Sequence, residues 1–284
     1  MKFFLILISL LYSLEAKSLF TNNEQKDRSK YIGALKNLVI ATQKTRGLTN
    51  SFLNGNTVAQ LLVYSNRQDM KAAIGDMETL QFSADPVINK RATFISQELI
   101  SLNSKALKKN SSKVFDEYTE LIAQTMMLAQ SVAKRGVDKL NPIGRELTSI
   151  MMETMLPLTE YVGQLRGLGS GIAAKGSISK GEKDKLVAIL LQMKPLSEKF
   201  ESQMSHVVSK YNKEFGNESI ESDVAKTMTL IKEYMSYSKT NFIESKQEVD
   251  PDNYFDSGTQ IITSIVKIYD VNNKVIESDS QGWF

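Results

Sequence analysis

Apolar residues recur at steps of three and four along almost the whole of this chain, and only five prolines interrupt them. That period belongs to the α-helix. A chain that keeps it for so long buries its apolar stripes by packing helices on helices. Helices are predicted over about 26–54, 57–84, 86–109, 111–139, 142–175, 179–212, 218–248 and 254–279. The breaks have local chemistry. Asn54-Gly55-Asn56-Thr57 is a turn, and both Pro86 and Pro142 stand where a first helical turn tolerates proline. The Gly/Ser/Lys loop at 174–185 leads into a capped helix. The segment 264–279 also reads as a hairpin around Asn272-Asn273. Its residues Ile261, Ile265, Ile268, Tyr269, Asn272 and Ile276 share a helical face, and helix is expected there. The predicted class is all-α, with eight helices forming two antiparallel four-helix bundles, at 17–140 and 141–284.

Two arginines stand against this pattern. Leu35, Val39, Thr42, Arg46, Thr49 and Leu53 follow one another at helical steps, so Arg46 points where the apolar stripe points. Met152, Met155, Thr159, Val162, Arg166, Gly169 and Ala173 do the same around Arg166. A buried cation without a partner costs several kcal/mol. The two arginines stand 120 residues apart, each followed by glycine and preceded closely by a glutamine, Gln43 or Gln164. Arg46-Gly47-Leu48 matches Arg166-Gly167-Leu168, which suggests two related halves with one arginine helix apiece. An internal carboxylate such as Glu160 or Glu153 would serve as partner. However, no acid stands at a matching offset in the first copy, and the repeated Arg-Gly shifts the expectation toward a shared external anion. Gly163, Gly167, Gly169 and Gly171 add a helix-weakening cluster. Close helix contact explains them, and so does room for a ligand beside Arg166.

The stretches QKTRGLTNSFLNG (43–55) and PLTEYVGQLRGLGSGIAAKG (157–176) resemble the two signature regions of the NIT domain, the nitrate- and nitrite-sensing module. The second is also similar to helical sensory domains of bacterial chemoreceptors. The resemblance implies two four-helix bundles with an anion site between them, lined by the signature arginines, here Arg46 and Arg166. Nitrate is planar, as is the donor fork of a guanidinium. Two forks, with Gln43, Thr49, Gln164 and Ser170 as further donors, would satisfy its three oxygens. The affinity expected of such a site is micromolar.

Other chemistry is thinly provided for. The chain has no cysteine and one histidine, so neither a metal set nor a nucleophilic triad can be assembled, and no enzyme or cofactor is expected. A net charge of +3, with no basic run interleaved with aromatics, gives no sign of a nucleic-acid partner. Residues 1–16 read as an export signal cleaved at 16–18, because the apolar run from Phe3 to Leu14 falls short of the ~20 residues a spanning helix needs. A periplasmic binding protein for nitrate or nitrite follows as the leading reading, reporting to a separate membrane signalling protein. A homodimer is compatible with it. Two rivals are a helical interaction module whose arginines meet partner carboxylates, and a sensor of another ligand such as an organic acid.

Overall fold

A computed structural model of the protein describes residues 2–80, 85–216, 219–244 and 247–280, with side chains from 24 to 278 within those ranges. It is helical throughout these residues. The elements are α1 (Lys2–Leu53), α2 (Ala59–Thr79), α3 (Pro86–Lys105), α4 (Ser111–Lys134), α5 (Pro142–Ile150), α6 (Leu156–Lys175), α7 (Lys180–Lys210), α8 (Ile220–Ser238) and α9 (Pro251–Ser280). A π-helical turn, Met151–Met155, joins α5 to α6 as one rod. Pro157, in the first turn of α6, explains it: proline has no N–H to donate and crowds the preceding carbonyl, which a wider turn absorbs. A second π-helical stretch, Lys239–Glu244, extends α8. Counting the joined segments once leaves eight rods, as the periodicity predicts.

The ends form where sequence chemistry puts them. Asp85 caps α3 by accepting from the N–H groups of Val87 and Ile88 at 2.9 and 3.1 Å, with Pro86 at the first turn. Ser179 and Glu182 make a reciprocal capping box on α7. α6 ends at Gly176, whose φ of 68° is left-handed. The segment 264–279 is helix, not hairpin, as far as Ser280. The side chains of the expected export signal at 1–16 lie outside the described residues. No helix among the described residues is long and apolar enough to cross a membrane.

α1 and α6 are the axes of the molecule. α1 packs on α2, α4 and α6, and α6 packs on α1, α7 and α9, while α3 packs on α4 and α8 on both α7 and α9. Surrounded in this way, α1 is buried on every side from Ala41 to Ser51 apart from Lys44. Some of its polar residues are satisfied internally, while Thr49 Oγ1 and Ser51 Oγ are buried without a hydrogen-bond partner among the described residues. Thr42 and Thr45 donate to the carbonyls of Leu38 and Ala41, and Asn66 of α2 donates to the Ala41 carbonyl and the Thr45 hydroxyl.

The two arginine helices meet at their glycines. A Cβ placed on Gly167 would stand 3.0 Å from the Cα of Gly47 and 3.1 Å from the Phe115 ring, so the backbones approach as closely as glycine permits. Gly169 makes room for the Tyr254 ring, and Gly171 for the Asn50 amide. The glycine cluster is therefore used for close helix contact. Gly167→Val should lower stability by roughly 1–3 kcal/mol, because the added methyls force the crossing apart. Gly75→Ala, in α2 with nothing within 4 Å of the new methyl, should raise it by roughly 0.5–1 kcal/mol. Urea denaturation of the two variants measures both shifts.

Candidate functional site

The glycine crossing carries Arg46 and Arg166 into the middle of the molecule, 0% and 1% exposed. Among the described residues they are the two largest side chains to be so fully buried. Their surroundings differ in one decisive respect.

Arg46 has a carboxylate. Its Nη1 and Nη2 donate to the two oxygens of Glu160 at 2.5 and 3.2 Å, across from α1 to α6. This is a two-pronged guanidinium–carboxylate pair, the geometry a planar fork favours. Gln43 and Gln164 donate to the same carboxylate at 3.0 and 2.8 Å, so Glu160 accepts four hydrogen bonds inside the core. Arg46 Nη1 also donates to the Thr119 hydroxyl at 2.9 Å, and the guanidinium lies 4.8 Å from the centre of the Phe115 ring. Gly163 leaves the space that Gln43 and Arg46 Nη2 occupy. The carboxylate weighed in the sequence as a partner for either arginine thus belongs to Arg46.

Arg166 has no carboxylate bonded to it among the described residues. Its Nη1 donates to the Thr259 hydroxyl at 2.9 Å, and its guanidinium lies 4.4 Å from the centre of the Phe255 ring. Its Nε and Nη2 are buried without a hydrogen-bond partner among the described residues. Burial pushes its pKa down to about 10, with the Arg46 charge pushing the same way and Glu160 opposing. It remains cationic at neutral pH. Gly258 leaves the space for its Cβ and Cγ, and the Tyr234 hydroxyl stands against the same glycine.

The two settings are otherwise copies. α4 supplies Phe115 and Thr119 to Arg46, and α9 supplies Phe255 and Thr259 to Arg166. Each threonine gives its hydroxyl proton to the carbonyl four residues back, Phe115 or Phe255, at 2.8 and 2.9 Å. That leaves the hydroxyl oxygen to accept from the arginine. The chain carries the sign of this in Phe115-Asp116-Glu117-Tyr118-Thr119 and Phe255-Asp256-Ser257-Gly258-Thr259. It is spaced at 140 residues while the arginines are spaced at 120, which hides it from a search at one offset. Glu160 breaks the symmetry, since the residue 120 positions before it is Ile40.

Of the six residues expected at an anion site, Arg46, Gln43 and Gln164 meet on the Glu160 carboxylate, and Arg166 lies near enough to feel the charges of Arg46 and Glu160. The other two lie along the same helices with other neighbours. Ser170 donates to the Pro251 carbonyl at 3.1 Å, and Thr49, fully buried, lies beside the Tyr118 hydroxyl. His206 is exposed on α7, and no cluster of metal-ligating side chains occurs among the described residues.

A family described as nitrate and nitrite sensing (NIT) matches residues 37–277 of this chain, most of its length. The chain belongs to the NIT family. Among solved structures it is similar to that of the NasR transcription antiterminator, with a TM-score of 0.64 and 12% identity over 97% of this chain and 74% of that one. At that identity the likeness is one of fold. No curated protein matches.

The two arginines should respond oppositely to removal of their charge. Arg46→Met strands the buried Glu160 carboxylate and should lower stability by roughly 3–5 kcal/mol. Arg166→Met removes two buried unpaired donors in favour of a side chain of similar length, and should raise anion-free stability by about 1–3 kcal/mol. Urea denaturation in a buffer of large, weakly coordinating anions measures both.

Proposed function

We propose that this NIT domain senses nitrate or nitrite by taking the anion against the unpaired face of Arg166, beside the Arg46–Glu160 pair. The observation that supports it is the charge of the cluster. Two guanidinium groups and one carboxylate share this part of the core, which leaves one positive charge, and Arg166 keeps two donor nitrogens with no partner among the described residues. A single monovalent oxyanion matches both deficits. Its oxygens suit a donor fork, and the threonine and phenyl ring already hold that guanidinium in one orientation. Arg46, Gln43 and Gln164 form the neighbouring wall. Thr49 and Ser170, expected as further donors, lie along the two helices with other neighbours and are left out of this site.

Burial favours a small ligand over a protein partner. Guanidinium groups at 0% and 1% exposure offer nothing to carboxylates on another molecule's surface. A small organic acid meets the same charge requirement, so acetate belongs in any test. In this reading the two helix sets, 17–140 and 141–284, are two antiparallel bundles sharing the α1–α6 contact. The protein is exported to the periplasm through the leader at 1–16. The signal passes to a separate membrane protein, and a homodimer is compatible with it.

Nitrate or nitrite should raise the melting midpoint beyond what chloride or acetate does at equal ionic strength. An anion bound only by the folded state adds roughly 2.7 kcal/mol at a hundredfold excess over Kd, a shift of a few degrees for a chain of this size. Arg166→Ala should abolish that difference, and Arg166→Lys should restore only part of it, because an ammonium lacks the fork. Differential scanning calorimetry with matched sodium salts reads the result. Equal shifts from nitrate, nitrite and chloride in the native sequence would refute this function.

A further inference from the structure

We infer that Glu160 sets the charge of the anion this core accepts, admitting monovalent oxyanions and rejecting divalent ones. The inference rests on the proposed function and adds to it the residue that makes the selection.

Donor geometry by itself does not discriminate by charge. An arginine fork serves sulfate or phosphate as readily as nitrate. What discriminates here is the net charge left inside the core once the anion is bound. Glu160 is 5% exposed and carries the carboxylate that neutralises one of the two buried arginines. With it in place, a monovalent anion brings the cluster to neutrality. A divalent anion would leave a net negative charge in a medium that screens poorly, with a second carboxylate-like charge near Glu160 itself. The acid on α9 nearest in sequence to this site, Asp256, is exposed, so its charge is solvated and weighs less.

The carboxylate is also fixed in place. Four donated hydrogen bonds, two from Arg46 and one each from Gln43 and Gln164, hold it on the Arg46 side of the crossing. It balances charge without covering the free donors of Arg166. The duplicated architecture sharpens the point, because the same site without Glu160 would be a symmetric pair of unpaired arginines. Ile40 at the corresponding position of α1 shows that the rest of the repeat does not require an acid there.

Perchlorate and sulfate test this cleanly, since both are tetrahedral oxyanions of similar size and differ in charge. Titration calorimetry of the full chain would compare nitrate, perchlorate and sulfate in the native sequence, Glu160→Gln and Glu160→Asp. The native protein and Glu160→Asp should bind the monovalent anions and give no heat with sulfate. Glu160→Gln should gain sulfate binding by about tenfold or more relative to perchlorate, because the core charge rises by one. A structural role for Glu160 would weaken all anions together and would not change their ranking. An unchanged ranking in Glu160→Gln overturns the inference. If that variant does not fold, the native ranking decides, and native binding of sulfate as tight as that of nitrate overturns it. Sulfate binding gained by Glu160→Gln in a protein that never bound nitrate would uphold charge selection while refuting the nitrate reading.

Discussion

Everything distinctive in this molecule depends on how closely α1 and α6 approach. Gly47 and Gly167 meet backbone to backbone, and any side chain at either position would separate the helices. Each arginine immediately precedes one of these glycines. This backbone-to-backbone contact is thus also the place where two cations enter the core. A wider crossing would not let Glu160 of α6 reach Arg46 of α1 at 2.5 Å with two further amides on the same carboxylate. The glycines weaken their helices locally, and the close packing they permit is what offsets that weakness.

Once made, the crossing turns one motif into two environments. Arg46 and Arg166 receive the same furniture, a phenyl ring and a threonine hydroxyl from the last helix of each set. Only one receives a carboxylate. A buried ion pair whose carboxylate accepts four hydrogen bonds sits near balance between desolvation and attraction, and is no strong source of stability. A buried guanidinium with two silent donors is a standing cost. Arg67 of α2 carries the same cost at its Nε and Nη2; what sets Arg166 apart is full burial beside a second arginine, and the proposed site trades that cost for binding. In the proposed function, this connects the fold to the sensing function of the family: the residue expected to destabilise the unliganded protein is the one an anion would satisfy.

Much of this was legible in the chain. The number and nearly all of the boundaries of the helices follow from a period of 3.6 with its caps and prolines, and 264–279 proved helical because its apolar residues fit that period. The inward direction of Arg46 and Arg166 follows from the same spacing. The repeat of Arg-Gly-Leu pointed to both residues at once. The sequence missed Phe115, Thr119, Phe255 and Thr259, since they sit on helices far along the chain and repeat at a different offset from the arginines. It named Glu160 as a partner without saying for which arginine, and the structure gives it to Arg46 on the facing helix, not to Arg166 six residues along its own.

The reason is geometric. Spacing along a helix fixes which face a side chain occupies, so the sequence by itself determined that this chain would be helical, that two arginines would be buried, and that they would need negative charge. It carries no information on the register at which one helix crosses another. That register is set by many small contacts at once, and above all by where two glycines allow the backbones to touch. The tertiary structure alone therefore decided that one arginine is neutralised from across the interface and the other keeps its charge.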